Sequence, residues 1–338
     1  MAMVSYLVAF FFALALAYAL TPLFQKIALK FEILDHPVPN IKIHPKPVPY
    51  LGGLAIWLAL IVTLLGVRLL THFPTGTLGN LRGIFYGGTL IMVLGLIDDI
   101  WKLDYRVKFF GQFIASIILI IYNIRIEFIS NLPLSIFLTI FWVVGVTNAV
   151  NIIDIMDGLA AGVAVIASLA FFFIALPTEK IYVNFAALAL AGSCLGFLRY
   201  NWRPARIFMG DSGSLFIGFI LAAISLGESY TTINNIGLFA PLLVLGIPIY
   251  DTLLVIFFRM LKGKSIFAGS RDHFAFRLEA MGYDRKKVVL INYYLSAILG
   301  VTAFLITIVK FELAVIIYAA IIAFAIFSAT RLIYVRVE

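Results

Sequence analysis

The chain holds only 17 acidic residues among 338, so the places where carboxylates gather are informative. Asp98 and Asp99 stand side by side in Gly95-Leu-Ile-Asp-Asp-Ile-Trp-Lys102. Neighbouring carboxylates repel, which raises the pKa of one or calls for a shared cation. Either state suits a general base or Mg²⁺ chemistry; the plainer alternative is a polar helix end. A second group is Asn148, Asn151, Asp154 and Asp157, followed by Gly158 and set among Ile, Val and Met. On an α-helix a step of three residues turns back by about 60°. Neighbours in the series therefore share a face, and the whole fans over half the cylinder. That pattern suits residues surrounding a ligand, or a helix that tightens or breaks near Gly158. The third group runs from Arg199 through Asn201, Arg203, Arg206 and Phe208 to Gly210-Asp211-Ser-Gly213-Ser214. Arginines bind phosphates bidentately, and glycines let a backbone approach a ligand. Asp211 precedes an apolar run whose N-terminus would favour anions. Less specific signals are the stiff loop His44-Pro-Lys46-Pro-Val-Pro49 to Gly53, Asp251 beyond Pro248, and Arg271, His273 and Arg277 in a polar connection.

The elements that must position these groups are membrane spans. Hydrophobic residues make up 63% of the chain and charged ones 12%, about half the charge of a soluble protein. One cysteine, Cys194, excludes an internal disulfide and a cysteine-rich metal site. A span needs roughly 20 mainly apolar residues. Eleven such runs are expected, at about 4–25, 50–70, 83–98, 108–124, 133–149, 158–176, 182–199, 213–228, 236–258, 288–308 and 312–334. The first lacks a basic segment before it and reads as a retained span rather than a signal peptide. Lysine and arginine crowd alternate connections, among them 26–46, 102–108, 199–206 and 259–287, and the C-terminal tail. The positive-inside rule makes that side cytoplasmic. It also accounts for the net charge of +8 without nucleic acid as a partner. The expectation is an all-α polytopic integral membrane protein, 1–338 as one domain, with its N-terminus outside and C-terminus cytoplasmic. Its longest cytoplasmic loop would span about 259–287. A carboxylate at a helix centre costs at least about 2.5 kcal/mol, and the clustered acids here lie toward the cytoplasmic face.

Taken in order, these segments resemble the bacterial polyprenyl-phosphate N-acetylhexosamine-1-phosphate transferases. That family includes phospho-MurNAc-pentapeptide translocase and undecaprenyl-phosphate GlcNAc-1-phosphate transferase. The resemblance runs from Asp35 to about Gly282. Asn148 to Gly158 is similar to the family's Asn-x-x-Asn-x-x-Asp-x-x-Asp-Gly motif, and Phe208 to Leu215 to its Phe-Met-Gly-Asp-x-Gly-Ser-Leu. Asp98-Asp99 resembles its Asp-Asp pair, Lys108 the lysine that follows, and His44 to Gly53 its entry to the second span. Two departures stand out. Lys102 replaces the acid of the Asp-Asp-x-x-Asp form, and the His-x-His-His loop is reduced to His273-Phe-Ala-Phe276. The loop is closer to the Arg-Asp-His-x-x-x-Arg-Leu of GlcNAc-type members, which tilts the substrate toward UDP-GlcNAc.

The resemblance implies an enzyme of the bacterial inner membrane. It would join polyprenyl phosphate to a UDP-N-acetylhexosamine, releasing UMP, with Mg²⁺ (or Mn²⁺) as cofactor; a homodimer is left open. Asp98, Asp99 and Asp211 would be the catalytic acids, with the metal on Asp211 and Asp98 or Asp99 as further ligands. Lys46 and Lys108 would steady phosphates, and Asp157, Asn201 and Phe208 would hold the uridine. Asn148, Asn151 and Asp154 would line the cleft, with Arg271, His273 and Arg277 near the sugar phosphate. Two rivals fit less well. A CDP-alcohol phosphotransferase would need an arginine where Gly162 stands, and acids after it. A secondary transporter places its polar groups near the midplane, not crowded at one face.

Overall fold

The structure, a computed structural model, describes residues 2–36, 47–70, 77–178, 180–227, 235–263, 265, 271–335 and 337. Each of the eleven apolar runs becomes helix. In order these are α1 (Ala2–Lys30), α2 (Gly52–Leu70), α3 (Thr77–Trp101), α4 (Tyr105–Ile121), α5 (Leu132–Ile152), α6 (Leu159–Ala175), α7 (Ile181–Asn201) and α8 (Gly210–Leu226). After them come the pair α9 (Ala240–Val244) and α10 (Gly246–Leu261), then α11 (Phe274–Ala280), α12 (Arg285–Ile308) and α13 (Phe311–Leu332). The sheet among the described residues is one antiparallel pair, β1 (Leu34–Asp35) with β2 (Val48–Pro49). The chain is an all-α polytopic membrane protein.

Seven helices are long and apolar enough to cross a membrane unaided, or eight with the bent pair taken as one span. The other three expected spans, α4, α6 and α8, have 17 residues each. That is about 26 Å, at the short end of what spans the hydrocarbon. The run expected at 236–258 is not straight: α9 and α10 meet at 72°. Pro248 explains the break, because its ring lacks an N–H and clashes with the carbonyl four residues back, at Val244. The expected loop at 259–287 is also partly helical. α10 continues into it, α11 fills its middle, and α12 begins before its end.

Helix α7 lies at the centre, with 83% of its membrane window buried, whereas α13 is only 6% buried and faces outward along almost its whole length. Between α1 and α7 the packing is by small residues. Ala13 and Ala17 are buried against Gly192 and Gly196. In lipid, where apolar burial gives helices little reason to associate, such close backbone approach supplies dispersion contacts. α8 is buried on all sides and packs on α2, α3 and α5. Its N-terminus is thereby wedged among the ends of those helices, where the polar motifs lie.

Candidate active site

The ends of α3 and α4 form one corner. Lys102 has φ +49, which closes α3, and the Lys102 amide donates to the Asp98 carbonyl at 2.9 Å. The Leu103 amide donates to Asp98 Oδ1 at 2.6 Å. Asp104 then caps α4 by accepting from the Arg106 amide at 2.9 Å. This tight reversal turns the first face of α4 back on α3. Lys108 Nζ reaches Asp98 Oδ2 at 2.8 Å and, from the same ammonium, Asp211 Oδ2 at 3.0 Å. Two carboxylates expected in the chemistry are joined by one cation, which lies 10 positions from Asp98 and 103 from Asp211.

Adjacent residues on a helix point about 100° apart, and the two aspartates accordingly do different things. Asp99 does not face Lys108. Its Oδ1 accepts the Asp211 amide at 2.7 Å and its Oδ2 the Ser212 amide at 3.1 Å. These are N-terminal donors of α8, which lack partners within their own helix and carry the positive end of its dipole. Asp99 is thus an N-cap supplied by another helix. Gly210 makes room for it: φ is +71, and a Cβ there would sit 2.4 Å from Asp99 Oδ2. Both the backbone conformation and the space demand glycine.

Helix α5 closes the cluster from the other side. Asn151 Nδ2 donates to Asp211 Oδ1 at 3.0 Å and to Ser214 Oγ at 2.8 Å. Asp211 is therefore held by Lys108 on one oxygen and Asn151 on the other. Asn148 is one step removed. It exchanges amide hydrogen bonds with Gln112, at 2.6 and 3.3 Å, tying α5 to α4. Gln112 and Ser214 are absent from the expected site. Gln112 could have been found as the amide one helical turn beyond Lys108, on the same face.

The expected helix break falls where Gly158 placed it. α5 ends at Ile152, a turn follows, and Gly158 adopts φ +80 before α6. Asp154 lies in this turn, outside the spans; its amide donates to the Asn151 carbonyl at 3.2 Å, and its carboxyl makes no hydrogen bond or ion pair among the described residues. Burial of its carboxyl, then the carboxylates of Asp211, Asp99 and Asp157, push its pKa up to about 8. Asp157 Oδ2 accepts the Ala205 amide at 3.1 Å, fastening the turn to the arginine-bearing loop. Asn201, expected on the uridine, is 3% exposed. Its Oδ1 accepts the Gly158 amide at 2.9 Å and its Nδ2 donates to the Ile207 carbonyl at 3.0 Å. It braces the cleft instead of opening onto it. Phe208 is half-buried, its ring 6.3 Å from Tyr50. Its backbone pairs with Pro49 and Gly52, joining this motif to the entry of α2. His44 and Lys46 lie outside the described residues.

Arg271, His273 and Arg277 belong to a second network, around α10 and α11. Asp251 Oδ2 contacts His273 Nδ1 at 2.8 Å, and Oδ1 accepts the Phe274 amide at 2.5 Å. Arg277, expected beside the sugar phosphate, is 2% exposed. Its guanidinium donates to Asp272 at 3.1 Å and to the Leu332 and Val335 carbonyls at 2.7 Å each, stacking 3.6 Å over Phe258. Those contacts make it a tie between α11 and the end of α13. Arg271 is half-exposed, 5.3 Å from the Phe276 ring.

Among the described residues no three His, Cys, Asp or Glu side chains converge as a metal cage. Mg²⁺ does not need one, since it commonly takes one or two carboxylates and completes its octahedron with waters and phosphates. Asp98 and Asp211 are such a pair, already gathered around a cation at Lys108. Asp99, with both oxygens on backbone amides, is placed to anchor α8.

Residues 81–228 match the family model described as glycosyl transferase family 4. A probable undecaprenyl-phosphate N-acetylglucosaminyl 1-phosphate transferase of Bacillus subtilis is 35% identical over 311 residues, covering 89% of this chain and 85% of that protein. The chain belongs to glycosyl transferase family 4. Other members similar to it include the decaprenyl-phosphate N-acetylglucosaminephosphotransferase of Mycobacterium leprae, 33% identical over 83% of this chain and 78% of its own. A phospho-N-acetylmuramoyl-pentapeptide-transferase of Clostridium botulinum is 31% identical over 88% and 94%. The family 4 match spans α3 to the end of α8, which carry Asp98, Asp99, Lys108, Asn151 and Asp211.

Proposed function

We propose that this family 4 transferase moves N-acetylglucosamine 1-phosphate from UDP-N-acetylglucosamine to a polyprenyl phosphate such as undecaprenyl phosphate. The products are polyprenyl-diphospho-N-acetylglucosamine and UMP, and the reaction takes place on the cytoplasmic side of the bacterial inner membrane. The observation that carries the reading is the Lys108 ammonium held between Asp98 and Asp211 at the ends of apolar helices. A lipid-borne anion and a water-soluble nucleotide can meet at such a border. GlcNAc in the names of the Bacillus and Mycobacterium relatives supports the sugar.

In this reaction an oxygen of the lipid phosphate attacks the sugar-bearing phosphorus of the donor. A new P–O bond forms, the bond to the bridging oxygen breaks, and UMP leaves with that oxygen. Both reactants are anions, so neutralisation and alignment supply most of the rate. Lys108 contributes one positive charge as a point donor, and Asp98 and Asn151 hold Lys108 and Asp211 in place. Asp98, beside the lysine, is the group positioned to take a proton from the lipid phosphate. Asp211, with Asp98, would hold a Mg²⁺ (or Mn²⁺) ion, which when bound stabilises charge on the phosphates. Asp157 and Phe208 border the half-buried turn that would take the uridine, Asn201 braces it, and Asn148 ties α5 to α4.

A donor comparison tests the substrate. Purified protein with undecaprenyl phosphate and Mg²⁺ should release UMP from UDP-GlcNAc, and little from UDP-MurNAc-pentapeptide. Preference for the pentapeptide donor would move the chain to the activity named for the Clostridium relative and leave the reaction class standing.

A further inference from the structure

Helix α7 is enclosed along most of its length and opens toward its arginine-bearing end. Its two exposed residues are Leu195, at 38%, and Arg199. Together with Leu198 and Trp202 they line a shallow, mainly apolar groove. Steps of three and four residues put all four on one side of the chain. On one flank the Tyr18 ring of α1 lies 5.3 Å from Tyr200, and on the other Trp202 meets Tyr293 of α12 at 6.1 Å. Helices α1 and α12 are thus the walls and α7 the floor. Tyrosine and tryptophan collect at the headgroup level of a bilayer, and Leu195 lies one turn, about 6 Å, deeper than Arg199. The following loop brings back a second arginine. The Arg206 amide donates to the Tyr200 carbonyl at 2.9 Å, and Gln25 Nε2 of α1 donates to the Arg206 carbonyl at 2.9 Å. Both guanidinium charges act on the Tyr200 hydroxyl, and neither forms an ion pair with an acid among the described residues.

We propose that this groove binds an anionic glycerophospholipid such as phosphatidylglycerol, its phosphate on Arg199 and Arg206 and an acyl chain along Leu195 and Leu198. Guanidinium groups take phosphate oxygens bidentately, tyrosine hydroxyls donate to them, and basic pockets between spans hold acidic headgroups. A zwitterionic lipid makes the same chain contacts but brings its own cation to the arginines.

The groove lies apart from the reacting groups. Lys108 is on α4, which packs on α3 and α5, whereas α1 and α12 wall the groove. Its occupant is therefore a bound lipid and not the reacting one, and the site stands whether or not the transferase reading does. The groove still shares residues with the turn before α6. A Cβ on Gly158 would meet Leu198 and Trp202 at 3.2 Å each, and the Tyr293 hydroxyl donates to the Gly158 carbonyl at 2.5 Å. A lipid packed on Trp202 braces that turn from the membrane side.

Trp202 supplies the reporter, because bromine on an acyl chain quenches indole fluorescence on contact. The chain has four tryptophans, at 57, 101, 142 and 202. Full-length protein is placed in phosphatidylcholine vesicles holding a small fixed fraction of brominated phosphatidylglycerol or of brominated phosphatidylcholine. The emission lost in Trp202→Phe isolates Trp202. Trp101→Phe isolates Trp101, which is 70% exposed beside Lys102 and reports the general attraction of a basic surface. Phosphatidylglycerol should be enriched at Trp202 by about 5-fold per arginine, the equivalent of about 1 kcal/mol each, and by less at Trp101. Arg199→Gln combined with Arg206→Gln should make the two lipids quench Trp202 equally. Equal quenching in the native sequence, or the same enrichment at Trp101, would overturn the site. Relief of quenching by a trace of undecaprenyl phosphate, but not by unbrominated phosphatidylglycerol, would give the groove to a polyprenyl lipid and overturn it too. Native mass spectrometry of wild type from mixed vesicles needs no variant: phosphatidylglycerol should stay bound where phosphatidylcholine is lost, and equal retention would contradict the proposal.

Discussion

Replacing Asp99 by asparagine separates anchoring from metal binding. In the native protein its two oxygens accept the Asp211 and Ser212 amides at 2.7 and 3.1 Å. Asparagine offers one oxygen and turns an N–H₂ toward the other amide. One charge-assisted hydrogen bond is lost, about 1.5–3 kcal/mol. Loss of a negative charge at a helix N-terminus adds about 0.3–1 kcal/mol. The sum, about 2–4 kcal/mol, loosens the N-terminus of α8 and the Asp211 it carries. A displacement of about 1 Å at a reacting group costs on the order of 10²-fold in rate. Thermal unfolding in detergent and UMP release across a Mg²⁺ titration should show lower Tm, kcat reduced about 100-fold, and an unchanged Mg²⁺ half-saturation. Asp98→Asn also loses charge-assisted contacts, to Leu103 and Lys108, but it should differ from Asp99→Asn by changing the Mg²⁺ dependence. Asp99→Asn with native Tm and a raised Mg²⁺ requirement would refute the anchoring role and make Asp99 a ligand.

Other expectations follow from neighbouring contacts. Lys108→Met leaves the Asp98 and Asp211 carboxylates without their shared cation, so turnover should fall by on the order of 10²-fold; activity near wild type would remove Lys108 from the site. Asp154 is raised to about 8 in the folded protein, against about 3.9 in an unfolded chain. The folded state then holds the proton that the unfolded state has released, and stability falls as pH rises between those values. In Asp154→Asn that part of the slope of Tm against pH should vanish, and an identical slope would contradict the raised pKa of this carboxyl. Cysteines introduced at 270 and 230 in a Cys194→Ser background should label from the cytoplasmic and outer sides respectively. External labelling at 270 would reverse the orientation, and with it the side of the active site.

The fold was legible because membrane spans are written in runs. Each apolar stretch became a helix, and Pro248 marked the bend. The runs expected as spans at α4, α6 and α8 are helices too, of 17 residues each, outside the seven or eight that are long and apolar enough to cross a membrane. Within the site, Asn151 and Asp211, singled out by their motifs, meet at 3.0 Å, since motif residues at helix ends converge when the ends do. Spacing could not say which oxygen meets which donor. Asp98 and Asp99 look equivalent along the chain, yet one faces Lys108 and the other caps α8. Asn201 and Arg277 looked like ligand-binding groups, and their polar atoms face the protein itself. Gln112 belongs to no motif, and its one signal was its place a helical turn beyond Lys108. Asp251 was visible only as a charge out of place, and its partner lies 22 residues on.

The central claim is transfer of a sugar phosphate, not of a sugar, and the fate of one phosphorus atom tests it most directly. UDP-GlcNAc carrying ³²P in the phosphate next to the sugar should be incubated with purified protein, Mg²⁺ and undecaprenyl phosphate, then partitioned between organic and aqueous phases. The account predicts label in the lipid phase in step with unlabelled UMP in the aqueous phase, and neither with Asp211→Asn. Release of labelled UDP, with the sugar but no label in the lipid, would contradict it.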